Sequence, residues 1–146
     1  MAFLLGSWVG EGEGRYPTIE DFRYGEEITF REVGKPYVSY VQRTWALDDG
    51  RALHAESGYL RVVGPATLEY LLSHPTGLSE VGGGRVVGQH VLLTARVVRT
   101  PSALEVEEVE RDLVVEGDML RYELKMSMKD VPITRHLVAA LQRVSS

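Results

Sequence analysis

No cysteine occurs among the 146 residues, which excludes a disulfide framework, a thiolate nucleophile, an iron-sulfur cluster and thiolate-ligated haem. Any metal must then sit on His, carboxylate or Tyr. Long apolar runs are also missing: Met1 to Leu5 is far short of a signal-peptide core, and nothing approaches the ~20 residues of a membrane helix. Basic charge is in deficit, with 16 Lys and Arg against 21 Asp and Glu, and a formal charge of -5 repels phosphate backbones and anionic lipid. These absences predict a cytoplasmic protein that binds neither nucleic acid nor membrane. A chain of this length with 44% hydrophobic residues suits one domain spanning 1–146.

Turn signals punctuate the sequence at Gly34-Lys35-Pro36, Asp48-Asp49-Gly50, Gly64-Pro65, His74-Pro75-Thr76-Gly77, Gly82-Gly83-Gly84, Thr100-Pro101-Ser102 and Glu116-Gly117-Asp118. The stretches between them suit hairpins rather than βαβ units. They alternate with period 2: Leu120, Tyr122, Leu124, Met126 and Met128 share one face, and Arg121, Glu123, Lys125 and Ser127 the other. Leu104 to Val115 is the most acidic stretch and reads as a strand with a solvated outer face. Two places carry helical spacing, a short turn at Pro17 to Phe22 and the segment Arg135 to Val144. Eight to ten consecutive strands must hide their edges, so the expected fold is all-β, an up-and-down antiparallel barrel of about ten strands with short N-terminal and C-terminal helical turns. A β-sandwich is the competing architecture.

Gly10-Glu11-Gly12-Glu13-Gly14 lacks the following helix and the Lys or Ser/Thr of a phosphate loop. Alternate glycines instead let a strand bend or let something flat approach its backbone. No Gly-x-Ser-x-Gly elbow supports hydrolysis, and no two of the four histidines have zinc-ligand spacing. Nothing singles out Glu11, Glu13, Glu26 and Glu27 as a catalytic carboxylate pair. His74 and His90 read as solvated surface residues. His54 shares a strand face with Glu56, Gly58 and Leu60 and reads as a half-buried imidazole bonded to a neighbouring carboxylate. His136 reads as a helix-start residue pointing to water. The functional alternative is a single imidazole over a barrel mouth lined by Met126 and Met128, which is what a five-coordinate haem requires; taken alone, those methionines are core filler.

Gly6-Ser7-Trp8-Val9-Gly10-Glu11-Gly12-Glu13-Gly14 followed by Tyr16-Pro17-Thr18-Ile19 resembles the GxWxGxGxGxYPT opening of the nitrobindins, haem-binding barrels related to fatty-acid-binding proteins. Phe22 to Glu27, Gly34-Lys35-Pro36, Gln42-Arg43-Thr44-Trp45 and His54-Ala55-Glu56-Ser57-Gly58-Tyr59 resemble later blocks of that family in the same order. Met126-Ser127, Pro132 and His136-Leu137 resemble its closing segment, and the similarity runs from about Leu5 to Arg143. The resemblance implies a ten-stranded barrel with one haem b, binding nitric oxide when ferrous and isomerising peroxynitrite to nitrate when ferric. It implies His136 as the axial iron ligand and catalytic centre, Thr18 as a haem-pocket residue, His54 near the distal side and Met126 in the pocket wall. It also implies a homodimer through one barrel wall. The run Met126-Ser127-Met128-Lys129-Asp130 departs from the Thr-like polar residues expected there, and the start five residues before Gly6 suggests a stand-alone module.

Two other functions compete with this one. A metal-free carrier would keep the barrel for an apolar ligand and survive loss of His136. An interaction domain using the acidic Glu105 to Asp112 face would form a salt-sensitive complex and make no use of a cavity.

Overall fold

Alternation along each strand sends one row of side chains into a tube and the other into water. The computed structural model describes residues 1–14 and 22–145. A 3-10 turn at Ala2–Leu4 leads into β1 (Gly6–Gly14), β2 (Phe22–Glu32), β3 (Tyr37–Ala46), β4 (Ala52–Val62), β5 (Thr67–His74), β6 (Leu78–Val87), β7 (His90–Arg99), β8 (Val106–Glu116), β9 (Met119–Met128) and β10 (Val131–Ser145). Each strand pairs antiparallel with the next, and β10 returns to β1, so the sheet closes. Closure settles the choice between barrel and sandwich and removes the exposed edges.

The interior has three layers. At one end Leu4, Trp8, Ile28, Phe30, Leu68, Val91, Leu120 and Leu141 fill the tube completely. A belt of buried polar residues crosses the middle, and the far end is open. Trp8 closes the filled end: its Nε1 donates to the Leu4 carbonyl at 2.8 Å, and the Arg143 guanidinium lies 4.1 Å from its ring centroid. Arg143 also donates from Nη1 to the Leu5 carbonyl and from Nη2 to the Phe3 carbonyl at 2.9 Å, tying the N-terminal turn down. Arg143→Ala should therefore cost about 2 kcal/mol, the size of two charge-assisted hydrogen bonds and a cation-π contact less their solvation. A urea titration checks this; a midpoint unchanged from wild type would contradict it.

Alternate glycines in β1 admit flat rings. A Cβ on Gly12 would lie 2.5 Å from the Tyr24 ring, its register partner on β2, so only glycine lets that ring lie across the strand. Gly82, Gly83 and Gly84 do not form the expected turn. They lie inside β6, where Cβ atoms on Gly82 and Gly84 would meet the Thr94 and Leu92 carbonyls at 2.1 and 1.7 Å. The reversal comes later, at Gly88 with φ +60°.

The C-terminal helix expected over Arg135 to Val144 is replaced by β10, which pairs with both β1 and β9. Its helical stripe mixed two strand faces: Leu137 and Leu141 point inward, whereas Val144 is 62% exposed. Two register shifts, between Val131 and Thr134 and between Arg135 and Leu137, blur the alternation that would have betrayed a strand. Pro132 sits in the first of them, where its missing N–H breaks no regular ladder. The helical turn expected at Pro17 to Phe22 lies outside the described residues, except for Phe22, which opens β2.

Candidate functional site

The open half of the barrel encloses a cavity of about 1040 Å³. Much of its wall is apolar, from Leu78, Val97, Val106, Val109, Leu124 and Leu137 together with Met126 and Met128. Met126 thus lies in the cavity wall. Thr18 lies outside the described residues.

His136 is 2% exposed and lies on β10, not on a helix pointing to water. It occupies the register shift between Arg135 and Leu137, a bulge that re-aims a side chain. Its neighbour Leu137 lines the cavity. His136 Nδ1 lies 2.9 Å from the Thr134 carbonyl. A carbonyl only accepts, so Nδ1 carries the hydrogen, and in the neutral imidazole the lone pair is on Nε2.

The floor of the cavity is ionic. Arg111, from the inward row of β8, donates from Nε and Nη2 to the two Glu80 oxygens at 2.9 and 2.5 Å, and from Nη1 to Glu56 Oε1 at 2.9 Å. Tyr40 Oη donates to Glu56 Oε1 at 2.7 Å and Tyr70 Oη to Glu80 Oε1 at 3.0 Å. Burial alone would raise both carboxyls, but the Arg111 charge, together with hydrogen bonds to Arg111 and to the neighbouring imidazoles, His54 for Glu56 and His74 for Glu80, outweighs it and holds both below the usual range. Glu26 behaves in the opposite way. Burial pushes it up to about 7, against hydrogen bonds from Gln42 Nε2 at 2.8 Å and Tyr122 Oη at 2.7 Å.

His54 is half-buried, with Nε2 3.3 Å from Glu56 Oε2, the carboxylate contact expected for it. His74 is not the solvated turn residue its Pro75 neighbour suggested. It closes β5 with its side chain 12% exposed, on the cavity wall, between Glu80 Oε2 at 2.6 Å and Glu56 Oε2 at 3.2 Å. His90 is partly exposed and pairs with Asp112. Sequence reasoning missed Arg111, Glu80 and His74 as cavity residues. The available signal was a charge inside an apolar inward row, as in Val109-Arg111-Leu113-Val115.

The family model of the THAP4-like, heme-binding beta-barrel domain matches residues 1–143. The chain belongs to this family. Among its relatives, Peroxynitrite isomerase 2 of Mycobacterium marinum is 44% identical over 151 residues, covering 99% of this chain and 93% of the relative. Peroxynitrite isomerase 1 of Mycolicibacterium paratuberculosis is 46% identical over 148 residues, covering 98% and 92%. The crystal structure of Rv2717c from M. tuberculosis superposes with a TM-score of 0.90 at 42% identity, covering 97% of this chain and 93% of that one. The nitrobindin resemblance drawn from the opening and closing motifs is borne out.

The residues present fit the family's haem. The cavity matches the upper end of cofactor sites, about 300–1,000 Å³. Its wall is mostly apolar, and a ligand imidazole normally donates its other nitrogen to a carbonyl or carboxylate, as His136 does to Thr134. Gln42 Oε1, a buried side-chain atom on the cavity wall, has no protein hydrogen-bond partner and is placed to meet a polar edge of a guest.

Proposed function

We propose that the protein is a haem-dependent peroxynitrite isomerase that also binds nitric oxide, with one haem b per chain held by His136. The observation that carries this reading is a buried imidazole on a strand bulge, its Nδ1 committed to the Thr134 carbonyl, in a haem-binding family barrel with a large apolar cavity. The relatives' names supply the reaction.

The chemistry that haem supplies when bound is Lewis acidity at iron, which weakens the O–O bond of peroxynitrite. The chain's own residues do the rest. His136 would hold the iron through Nε2, and the Thr134 carbonyl fixes its ring and raises its basicity. Leu124, Met126, Met128 and Leu137 exclude water, favouring rearrangement within the cavity over hydrolysis. The outer face of β3 to β6, where Val41, Tyr59, Leu71 and Val81 are each about half exposed, supports a dimer through one barrel wall.

Ferric haem titrated into wild type and His136→Ala, followed by absorption, tests the reading. Wild type should give a saturable Soret change at one equivalent and accelerate peroxynitrite decay to nitrate; the variant should lose both. Equal, weak and unsaturable absorption in the two proteins would overturn it and assign the cavity to a metal-free apolar ligand.

A further inference from the structure

Three atoms on the cavity floor converge without belonging to the proposed haem ligation. His54 Nε2 lies 3.1 Å from His74 Nδ1 and 3.3 Å from Glu56 Oε2, and His74 Nδ1 lies 3.2 Å from the same oxygen. The triangle is nearly equilateral. An ion bonded to all three at the ~2.05 Å typical of zinc to nitrogen or oxygen would need ligand-to-ligand edges of about 3.3 Å in a tetrahedron. From the spacing, we propose that His54, Glu56 and His74 form a second, non-haem site for a first-row divalent cation of the zinc type.

Outer contacts aim each group. His74 Nε2 lies 2.6 Å from the buried Glu80 Oε2, so it carries the hydrogen and leaves Nδ1 with the lone pair that faces the triangle. This is the carboxylate-histidine arrangement that orients metal-bound imidazoles. Glu56 gives its Oε1 to Tyr40 and Arg111, which leaves Oε2 for the two imidazoles. Charge supplies an independent argument. With neutral imidazoles, Glu56 and Glu80 set two buried negative charges against the single Arg111 guanidinium, and a buried excess of one sign requires a counter-charge. Either a proton within the triangle or a cation provides it. A His₂-carboxylate set with a coordination position left for water or a small anion is the donor set of catalytic zinc and of non-haem iron(II). All three residues line the cavity, which gives the ion a route in.

The probes are Co²⁺ and Zn²⁺ alone, added to the purified full chain. Co²⁺ should produce the intense visible d–d bands of a tetrahedral ion, saturating at one equivalent, and Zn²⁺ should displace it. His54→Ala, at a half-exposed position where folding is little threatened, and His74→Ala should each weaken binding by about 100-fold or more. His136→Ala should bind Co²⁺ as wild type does, which separates this site from the haem reading. Thermal melts of the same samples verify that the variants fold. Absence of saturable binding by wild type overturns the proposal. Undiminished binding by folded His54→Ala and His74→Ala, or loss of binding in folded His136→Ala, overturns it equally.

Discussion

Arg111→Met is expected to destabilise the barrel by about 3–5 kcal/mol at pH 7, the cost of removing one partner from a buried ion network. The guanidinium holds three of its donors on two carboxylates, and all three side chains are at least nine-tenths buried. A thioether replaces its length but not its charge, so Glu56 and Glu80 would lose their one guanidinium and keep only the His54 and His74 imidazoles beside them. The pH dependence supplies the sharper test. In wild type both carboxyls are held below their unfolded range, so their contribution is present above that range and is lost as pH falls through the folded values. Without Arg111 burial dominates, both folded values rise above the unfolded ones, and the variant loses stability as pH rises above the unfolded value of about 4.5 instead of as it falls below it. Urea titrations from pH 2 to pH 7 in a Glu26→Gln background, which removes that carboxyl's own pH dependence, should show the protein with Arg111 weakening as pH falls below about 4.5 and the Arg111→Met protein weakening as pH rises above it. Parallel slopes would mean that the network is solvated and contributes little.

Much of the architecture was legible because period-2 alternation is hard to imitate. Leu120 to Met128 announces an inward row at once, and the sheet closes as edge avoidance requires. The C-terminal segment misled because two bulges and Pro132 interrupt its alternation before Leu137, while Leu137 and Leu141 on the inner face and Ala140 and Val144 on the outer face fall at helical spacing. Gly82 to Gly84 misled for a related reason: glycine permits turns, but it also permits the close approach of β7 carbonyls, and composition does not distinguish the two.

The site was less legible than the fold. Its buried polar residues stand far apart in sequence, Arg111 and Glu80 being 31 positions apart and Arg111 and Glu56 55. Only closure of the barrel brings them together. The acidity of Glu105 to Asp112 marks an outer face, and it masks Arg111 in the inward row beside it. The turn that follows His74 suggests a solvated residue, whereas its face is set by Leu68, Tyr70 and Leu72 at alternate positions before it. Parity along a strand was a better guide than proximity to proline.

Glu26→Gln is expected to make the barrel more stable at pH 8 by about 3 kcal/mol, while changing little near pH 5. Burial raises the folded carboxyl from 4.5 to about 7, and the Glu56 charge adds to that, outweighing hydrogen bonds from Gln42 and Tyr122. A folded value above the unfolded one means that the native state holds a proton which the unfolded chain releases. Below pH 4.5 the group has no effect; as pH rises toward 7 stability falls, and above the folded value the full penalty of a buried charge remains. Glutamine keeps the shape and the hydrogen-bonding edge but never ionises. The Tyr122 hydroxyl, 3.0 Å from the Tyr24 hydroxyl, can turn to accept from the new amide. Urea midpoints for both proteins at pH 5 and pH 8 decide the matter: wild type should weaken between the two values and Glu26→Gln should not. An equal change in both would place the titrating group elsewhere and leave Glu26 ionised within its tyrosine and glutamine cage.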